Sequence, residues 1–249
     1  MSLSFTTLGV GDAFSALRYS SCLAVETEGQ MLLIDCPHPI RKMMREASML
    51  SGNPIDVDRV AGVALTHLHA DHSSGLEVLG YFSTFVLRRK MPLLTHPDVA
   101  KRLWDGHLAA GMECLIEKQG ESPNPKHFED YFTHTPLSTE APVRFGPFSI
   151  ECRFTYHHLP TTALRIRAGG RCLGYSADTS FDEGLISWLA EADLVVHETN
   201  YGVHTPYAKL AALPAELRAR MRLIHYPDDF DLEASVIEPL AQGRRYTLG

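Results

Sequence analysis

Thr66-His67-Leu68-His69-Ala70-Asp71-His72 gathers three imidazoles and a carboxylate directly after the apolar run Val60-Ala61-Gly62-Val63-Ala64-Leu65. Such a run predicts a buried strand, so the polar cluster sits at a strand end. In an extended chain His67 and His69 project to the same side and can grip one cation. Asp71 and His72 come after the chain turns and can face a second. Neutral imidazole and carboxylate are the usual ligands of zinc and its neighbours. Ser73-Ser74-Gly75 then opens a helical pattern of Leu76, Val78, Leu79, Phe82 and Val86, which places the cluster between a strand and a helix.

Working outward, strands are expected at residues 4–8, 22–26 and 31–35 and a helix at 40–49, all before the Val60 strand. Residues 100–140 form a less regular, variable segment. Stretches 101–104 and 108–112 look helical, and Glu121-Ser122-Pro123-Asn124-Pro125 breaks the pattern. A lid, a dimer contact or padding would each fit there. Strand signals return from Val143, at 148–156, 163–167 and 172–176, followed by a helix at 183–190 and a buried strand at 194–196. A last helical stretch leads to Arg222-Leu223-Ile224-His225. Two strand-rich, helix-ended halves fit two sheets packed together and covered by helices.

A chain of 249 residues with 45% hydrophobic content suits one domain spanning 1–249. The formal charge of −7 argues against a broad basic surface, so a large nucleic acid is not the expected partner. Arg41-Lys42-Arg45, Arg88-Arg89-Lys90 and Arg218-Arg220-Arg222 read as solvated helix faces or ends. The five cysteines are odd in number and lack C-x-x-C spacing, so reduced and mostly buried thiols are expected. No stretch has the apolar length of a membrane span, and Met1-Ser2-Leu3-Ser4-Phe5 has no basic flank, which makes a cytoplasmic protein the expectation.

A site for two cations needs more ligands than one loop supplies. The second half offers Tyr156-His157-His158-Leu159-Pro160 after one strand, Tyr175-Ser176-Ala177-Asp178-Thr179 at the end of another, and Ile224-His225-Tyr226 at a third. Taken singly, Asp178 reads equally as a helix N-cap and His225 as a core histidine.

Taken together, H-x-H-x-D-H, a later lone His, an Asp in a Ser-x-Asp-Thr turn and a final His after an apolar strand resemble the metallo-β-lactamase superfamily over essentially the whole chain. The resemblance implies an α/β fold, the four-layer αββα metallo-β-lactamase sandwich, with two divalent cations at the sheet edges. It implies His67, His69 and His157 on one cation, Asp71, His72 and His225 on the other, and Asp178 bridging. Zinc is the expected metal, with manganese the alternative. The register against Arg165 in relatives favours His157 over His158, which would then either support a ligand from behind or face the substrate. A homodimer is also implied.

Asp193-Leu194-Val195-Val196-His197-Glu198-Thr199 followed by His204-Thr205 resembles the ribonuclease Z branch of phosphodiesterases. That likeness implies that His204 serves the leaving oxygen and that Glu198 orients it. Asp71 would both ligate and orient the attacking water. Leu33-Ile34-Asp35-Cys36 resembles the strand whose Asp braces the metal loop, with Pro37-His38-Pro39 in place of the usual glycine. Gly9-Val10-Gly11-Asp12-Ala13-Phe14 resembles the branch's Gly-rich opening loop. Relatives that process transfer RNA carry a long arm between the lone His and the bridging Asp, whereas here His157 and Asp178 are 21 residues apart.

The expected activity is therefore that of a dinuclear metal-dependent hydrolase, a phosphodiesterase acting on a small phosphodiester such as a cyclic nucleotide, as in arm-less relatives of the phage anti-Pycsar type. The alternatives are a tRNA 3′-processing nuclease, a thioester or lactone hydrolase on the same metals, and a non-catalytic metal-binding module.

Overall fold

The computed structural model describes residues 2–248. Its first sheet is built from β1 (Leu3–Gly9), β2 (Cys22–Thr27), β3 (Gln30–Ile34), β4 (Val60–Ala64) and β5 (Met91–Thr95), after which Cys114–Leu115 (β6) and Asn124–Pro125 (β7) pair as a separate small ribbon. Phe132–Pro136 (β8) returns to the first sheet. The second sheet comprises β9 (Val143–Phe145), β10 (Phe148–Phe154), β11 (Thr162–Ala168), β12 (Arg171–Tyr175), β13 (Leu194–Glu198) and β14 (Met221–Ile224), and Arg245–Leu248 (β15) closes the edge of the first. The strand orders are β15-β1-β2-β3-β4-β5-β8 and β14-β13-β12-β11-β10-β9.

Alternate residues of the central strands feed different cores. Leu23, Val25, Leu32 and Ile34 join the cluster shared with Phe148, Ile150, Leu164 and Ile166 of the second sheet. Cys22, Ala24, Met31 and Leu33 join the cluster with Ile40, Met43 and Met44 of α1 (Ile40–Ser51). Both faces of these strands are covered, which explains why they read as continuous apolar runs rather than alternating ones. On the far side, Leu185, Ile186 and Leu189 of the Glu183–Leu189 helix pack into the second sheet. The αββα layering expected from the sequence is the one observed.

The layers also put one set of strand ends together. β3, β4, β5 and β8 run parallel, as do β12, β13 and β14. Their carboxyl ends collect along one edge, where open α/β sheets place their ligands. The two sheets are tied there by Thr162 N–H donating to the Thr66 carbonyl at 3.1 Å and His225 N–H donating to the Val10 carbonyl at 2.8 Å.

Several local expectations shift. The metal loop forms its own short turn, α2 (Ala70–Ser73), before α3 (Leu76–Phe85), whose inward residues are Leu76, Leu79, Gly80 and Ser83. Val78 and Val86 face outward. Residues 101–103 form turns rather than helix. The segment 100–140 contributes β8, an edge strand of the first sheet, so part of it is framework. Four of the five cysteines are buried and all are free, as expected; Cys114 is exposed.

Gly75 is fixed by close approach. Its N–H donates to the Cys36 carbonyl at 2.8 Å, and a Cβ there would lie 2.5 Å from the Pro37 carbonyl oxygen. Gly75→Ala must push the metal loop off the β3 exit. We expect a loss of about 1–3 kcal/mol, read as a fall of roughly 3–10 °C in Tm by thermal denaturation.

Candidate metal centre

Three strand exits bend sharply at the site. Asp35 after β3, Ala177 after β12 and His225 after β14 hold φ of 63°, 51° and 58°. Left-handed backbone at non-glycine residues costs on the order of 1–3 kcal/mol each, and it persists only where the surroundings over-determine it. These bends turn the chain back so that Asp178 and His225 meet the histidines of the first sheet.

Two groups of donors result. In the first, His69 Nδ1 lies 3.2 Å from His67 Nε2 and 3.0 Å from His157 Nε2, and Asp178 Oδ2 lies 3.7 Å from both Nε2 atoms. In the second, Asp71 Oδ2 lies 3.3 Å from His72 Nε2 and 3.2 Å from His225 Nε2. Asp178 reaches this group too, its Oδ1 at 3.3 Å from His72 Nε2 and its Oδ2 at 3.6 Å from His225 Nε2. Tetrahedral zinc with bonds of roughly 2.0–2.2 Å holds its ligand atoms about 3.3–3.6 Å apart. The observed spacings bracket that range, and Asp178 is common to both groups.

The hydrogen bonding behind the rings fits cations as well. Buried Asp35 accepts from Thr66 N–H at 2.8 Å, from the Thr66 hydroxyl at 2.9 Å and from His72 Nδ1–H at 2.8 Å. Having given its one hydrogen to Asp35, the Thr66 hydroxyl accepts from His67 Nδ1–H at 2.9 Å. Both rings therefore turn an Nε2 lone pair inward. His72 Nε2 is buried without a hydrogen-bond partner, as a ligand atom should be. One carboxylate thus orients a histidine in each group.

The structure brings every ligand candidate into these groups: His67, His69, His157 and Asp178 in one, Asp71, His72, Asp178 and His225 in the other. His158 stays outside, its ring centroid 6.1 Å from that of His69. Asp178 is free for the site because Asp182 caps the following helix, its Oδ1 accepting from Gly184 N–H. His38 is exposed, and its backbone N–H donates to Ser74 Oγ.

The model of the anti-Pycsar protein Apyc1 family matches residues 3–241. An anti-Pycsar protein Apyc1 of Bacillus phage 010DV004 is 33% identical, the match covering 99% of this chain and 98% of that protein. The chain belongs to the anti-Pycsar Apyc1 family. It is also 25% identical, over 95% of its length but only 22% of the other's, to the cAMP/cGMP-dependent 3′,5′-cAMP/cGMP phosphodiesterase B of Dictyostelium discoideum. Its fold matches the metallo-β-lactamase fold protein YhfI of Bacillus subtilis with a TM-score of 0.75 at 18% identity, over 99% of this chain and 100% of that one. Family, fold and donor chemistry make this Apyc1 family member a metal-dependent hydrolase of the phosphodiesterase kind, as the sequence led us to expect.

Beside the metal groups lies the pair expected from the Asp193–Thr205 region. Glu198, buried at the end of β13, accepts from His204 Nδ1–H at 2.9 Å and from Thr179 N–H at 2.8 Å through Oε1. The ring of His204 stacks on that of His225 with centroids 5.2 Å apart. Burial pulls the His204 pKa down, but the Glu198 hydrogen bond and charge outweigh it and leave the net shift upward. Burial pushes the Asp71 carboxyl up, and the His225 and His72 imidazoles, with Nε2 atoms 3.2 and 3.3 Å from Oδ2, outweigh it and leave it well below the usual carboxylate range. Burial, helped by the neighbouring His69, His204 and His158, outweighs the Asp178 charge and sends His157 down to about 4, which favours the neutral form a ligand requires.

Sequence reading missed two supports. Thr66, the relay between Asp35 and His67, heads the ligand motif but has no role of its own in that reading. Asp12 accepts from Asn200 Nδ2 at 2.9 Å, joining the opening loop to the His204 loop across 188 residues. A polar residue beside a ligand motif was the only available signal for either. The basic clusters are engaged locally: Arg89 and Arg220 donate to backbone carbonyls, and Arg222 pairs with Glu238. Among the described residues no helix is long and apolar enough to cross a membrane.

Asp35→Asn replaces an acceptor-only carboxylate with an amide that cannot accept from Thr66 and His72 alike. We expect metal affinity and activity to fall roughly 10–100-fold, as is usual for groups that orient metal ligands. Competition titration with a chromogenic chelator measures the affinity.

Proposed function

We propose that this protein is a dinuclear phosphodiesterase that opens a 3′,5′-cyclic nucleotide. The observation that carries the reading is the pair of four-residue donor groups sharing Asp178, with His204 held by Glu198 at their rim. His67, His69, His157 and Asp178 would hold one cation, and Asp71, His72, His225 and Asp178 the other. Five imidazoles and two carboxylates favour zinc over manganese. Cations in these positions would stabilise charge building up at phosphorus and make a water molecule more acidic.

The chain's own residues do the rest. Asp71, low in pKa and partly open to solvent, accepts from the attacking water and orients it in line with phosphorus. The water oxygen bonds to phosphorus as its proton passes through Asp71 to solvent, one ring P–O bond breaks, and the departing alkoxide takes a proton from His204. Against the pull of burial, Glu198 raises the His204 pKa and fixes its ring through the Nδ1–H. The product is a linear nucleoside monophosphate.

The compactness of the substrate is supported by the interval between His157 and Asp178, which β11, β12 and their connection fill. Relatives bearing the anti-Pycsar and 3′,5′-cAMP/cGMP phosphodiesterase names support the cyclic nucleotide. The same reading takes residues 1–249 as one domain working as a cytoplasmic homodimer. A side-by-side assay of cyclic mononucleotides, cyclic dinucleotides and pre-tRNA tests it. Mononucleotide hydrolysis, stopped by chelation and restored by zinc, is the expected result; cleavage of pre-tRNA alone would contradict it.

A further inference from the structure

A second surface feature adjoins the metal groups. A cavity of about 420 Å³ opens beside His204 and His225 and is also lined by Phe14, Tyr201, Asp12 and Asn200. Its volume lies within the range usual for small-ligand pockets. A ligand whose phosphate sits among the metal-site residues has this cavity next to it.

The rim is aromatic and uncovered. Phe14 is 93% exposed and Tyr201 65% exposed. A single exposed phenylalanine needs no explanation. Here, however, two rings border one cavity that also holds two histidines of the candidate site, and the loop carrying Phe14 is anchored. Asp12 Oδ1 accepts from Phe14 N–H at 3.0 Å, and the Asp228 carboxylate accepts from Ala16 N–H at 2.7 Å, Leu17 N–H at 3.2 Å and the Arg18 guanidinium at 3.0 Å. A ring presented on a fixed loop loses little freedom when a ligand covers it.

Away from the two histidines, the polar groups beside the rings are already paired. Asn200 donates to Asp12 and accepts from Tyr201 N–H at 2.8 Å, and the Tyr201 hydroxyl donates to Asp229 at 3.1 Å. What Phe14 and Tyr201 leave on offer is ring face.

We infer that this cavity seats the nucleobase of the substrate, with Phe14 as the main stacking face and Tyr201 as a second. The inference rests on the cyclic-nucleotide reading above. Phe14 is then an affinity-determining residue, distant from the bonds that change and contributing to binding rather than to chemistry.

The test compares kcat and KM for 3′,5′-cAMP in zinc-loaded wild type, Phe14→Ala, Phe14→Tyr and Tyr201→Ala. Base–aromatic stacking predicts that Phe14→Ala raises KM roughly five- to hundredfold with kcat little changed. Phe14→Tyr, which keeps the ring, restores KM, and Tyr201→Ala raises it by a smaller factor. Because Phe14 is so exposed, Tm should be unchanged, and measuring it separates loss of stacking from loss of fold. A KM for Phe14→Ala equal to that of wild type, or a loss confined to kcat, overturns the inference while leaving the phosphodiesterase reading intact. A zinc-loaded wild type that leaves cAMP whole overturns that reading, and the inference with it.

Discussion

Asp178→Ala should yield a folded protein that binds at most one cation per chain and hydrolyses cyclic nucleotides at least roughly 10³-fold more slowly. The factor follows from the several kcal/mol of charge stabilisation that a catalytic cation supplies, at about 1.4 kcal/mol per tenfold in rate. Asp178 is the residue on which both donor groups depend, its two oxygens lying 3.3–3.7 Å from the imidazole nitrogens of His67, His72, His157 and His225. Burial pulls the His225 pKa down, and Asp178, with Asp71 and Glu198, outweighs it and raises the pKa to about 9. Alanine removes a donor from each group together with the charge balancing these rings. Mass-spectrometric metal analysis beside circular dichroism separates loss of metal from loss of fold. Retention of two cations by the variant would show that Asp178 does not bridge.

His204→Ala should lower kcat for cAMP roughly 10²–10⁴-fold, the usual range for a general acid, with metal content unchanged. His204 is outside both four-residue metal groups, and its proton is held by Glu198 at 2.9 Å. The alkoxide released from a ribose ring is a strong base and needs a proton, which the Nε2–H of His204 would supply while Glu198 keeps the Nδ1–H. The p-nitrophenolate released from bis-p-nitrophenyl phosphate does not, so the variant should be far less impaired on that ester. Equal loss on both substrates would assign His204 to binding or metal retention. Full activity of the variant on cAMP would remove the acid role and favour a thioester- or lactone-type hydrolase on the same centre.

Both expectations depend on residues that differ in how openly the sequence shows them. His67 to His72 declares itself, because four donors in six residues after an apolar strand have little other use. His157, Asp178 and His225 do not: each is a single polar residue at a strand end, and only their order in a known family joins them. The left-handed turns at Asp35, Ala177 and His225, which swing these residues together, leave no readable trace, because non-glycine residues adopt such backbone only occasionally, Asp and His more often than alanine.

The interior strands were legible for a related reason. Covered on both faces, β2, β3 and β4 are continuous apolar runs. The two edges of the first sheet were not. In β8, Phe132-Thr133-His134-Thr135-Pro136, only Phe132 is fully buried, and β15 alternates exposed and buried residues in a four-residue strand. Short, polar, proline-bearing edges are how sheets avoid further pairing, and the same features erase the sequence signal. β5, with Pro92 at its second position, escaped notice likewise.

The fold brings together what local pattern cannot. Asp35 and Thr66 are 31 residues apart, and Asp12 and Asn200 are 188 apart, yet each pair makes one hydrogen bond or more that positions the site. Parallel strand order explains the first contact, since β3 and β4 end side by side. The second needs the two sheets to be docked.

The most direct measurement is a zinc titration of metal-stripped protein with cAMP hydrolysis followed at each step. Activity should rise to a plateau at two zinc ions per chain, with nucleoside monophosphate as the product. A plateau already reached at one ion, or no hydrolysis with two ions bound, would contradict a dinuclear cyclic-nucleotide phosphodiesterase.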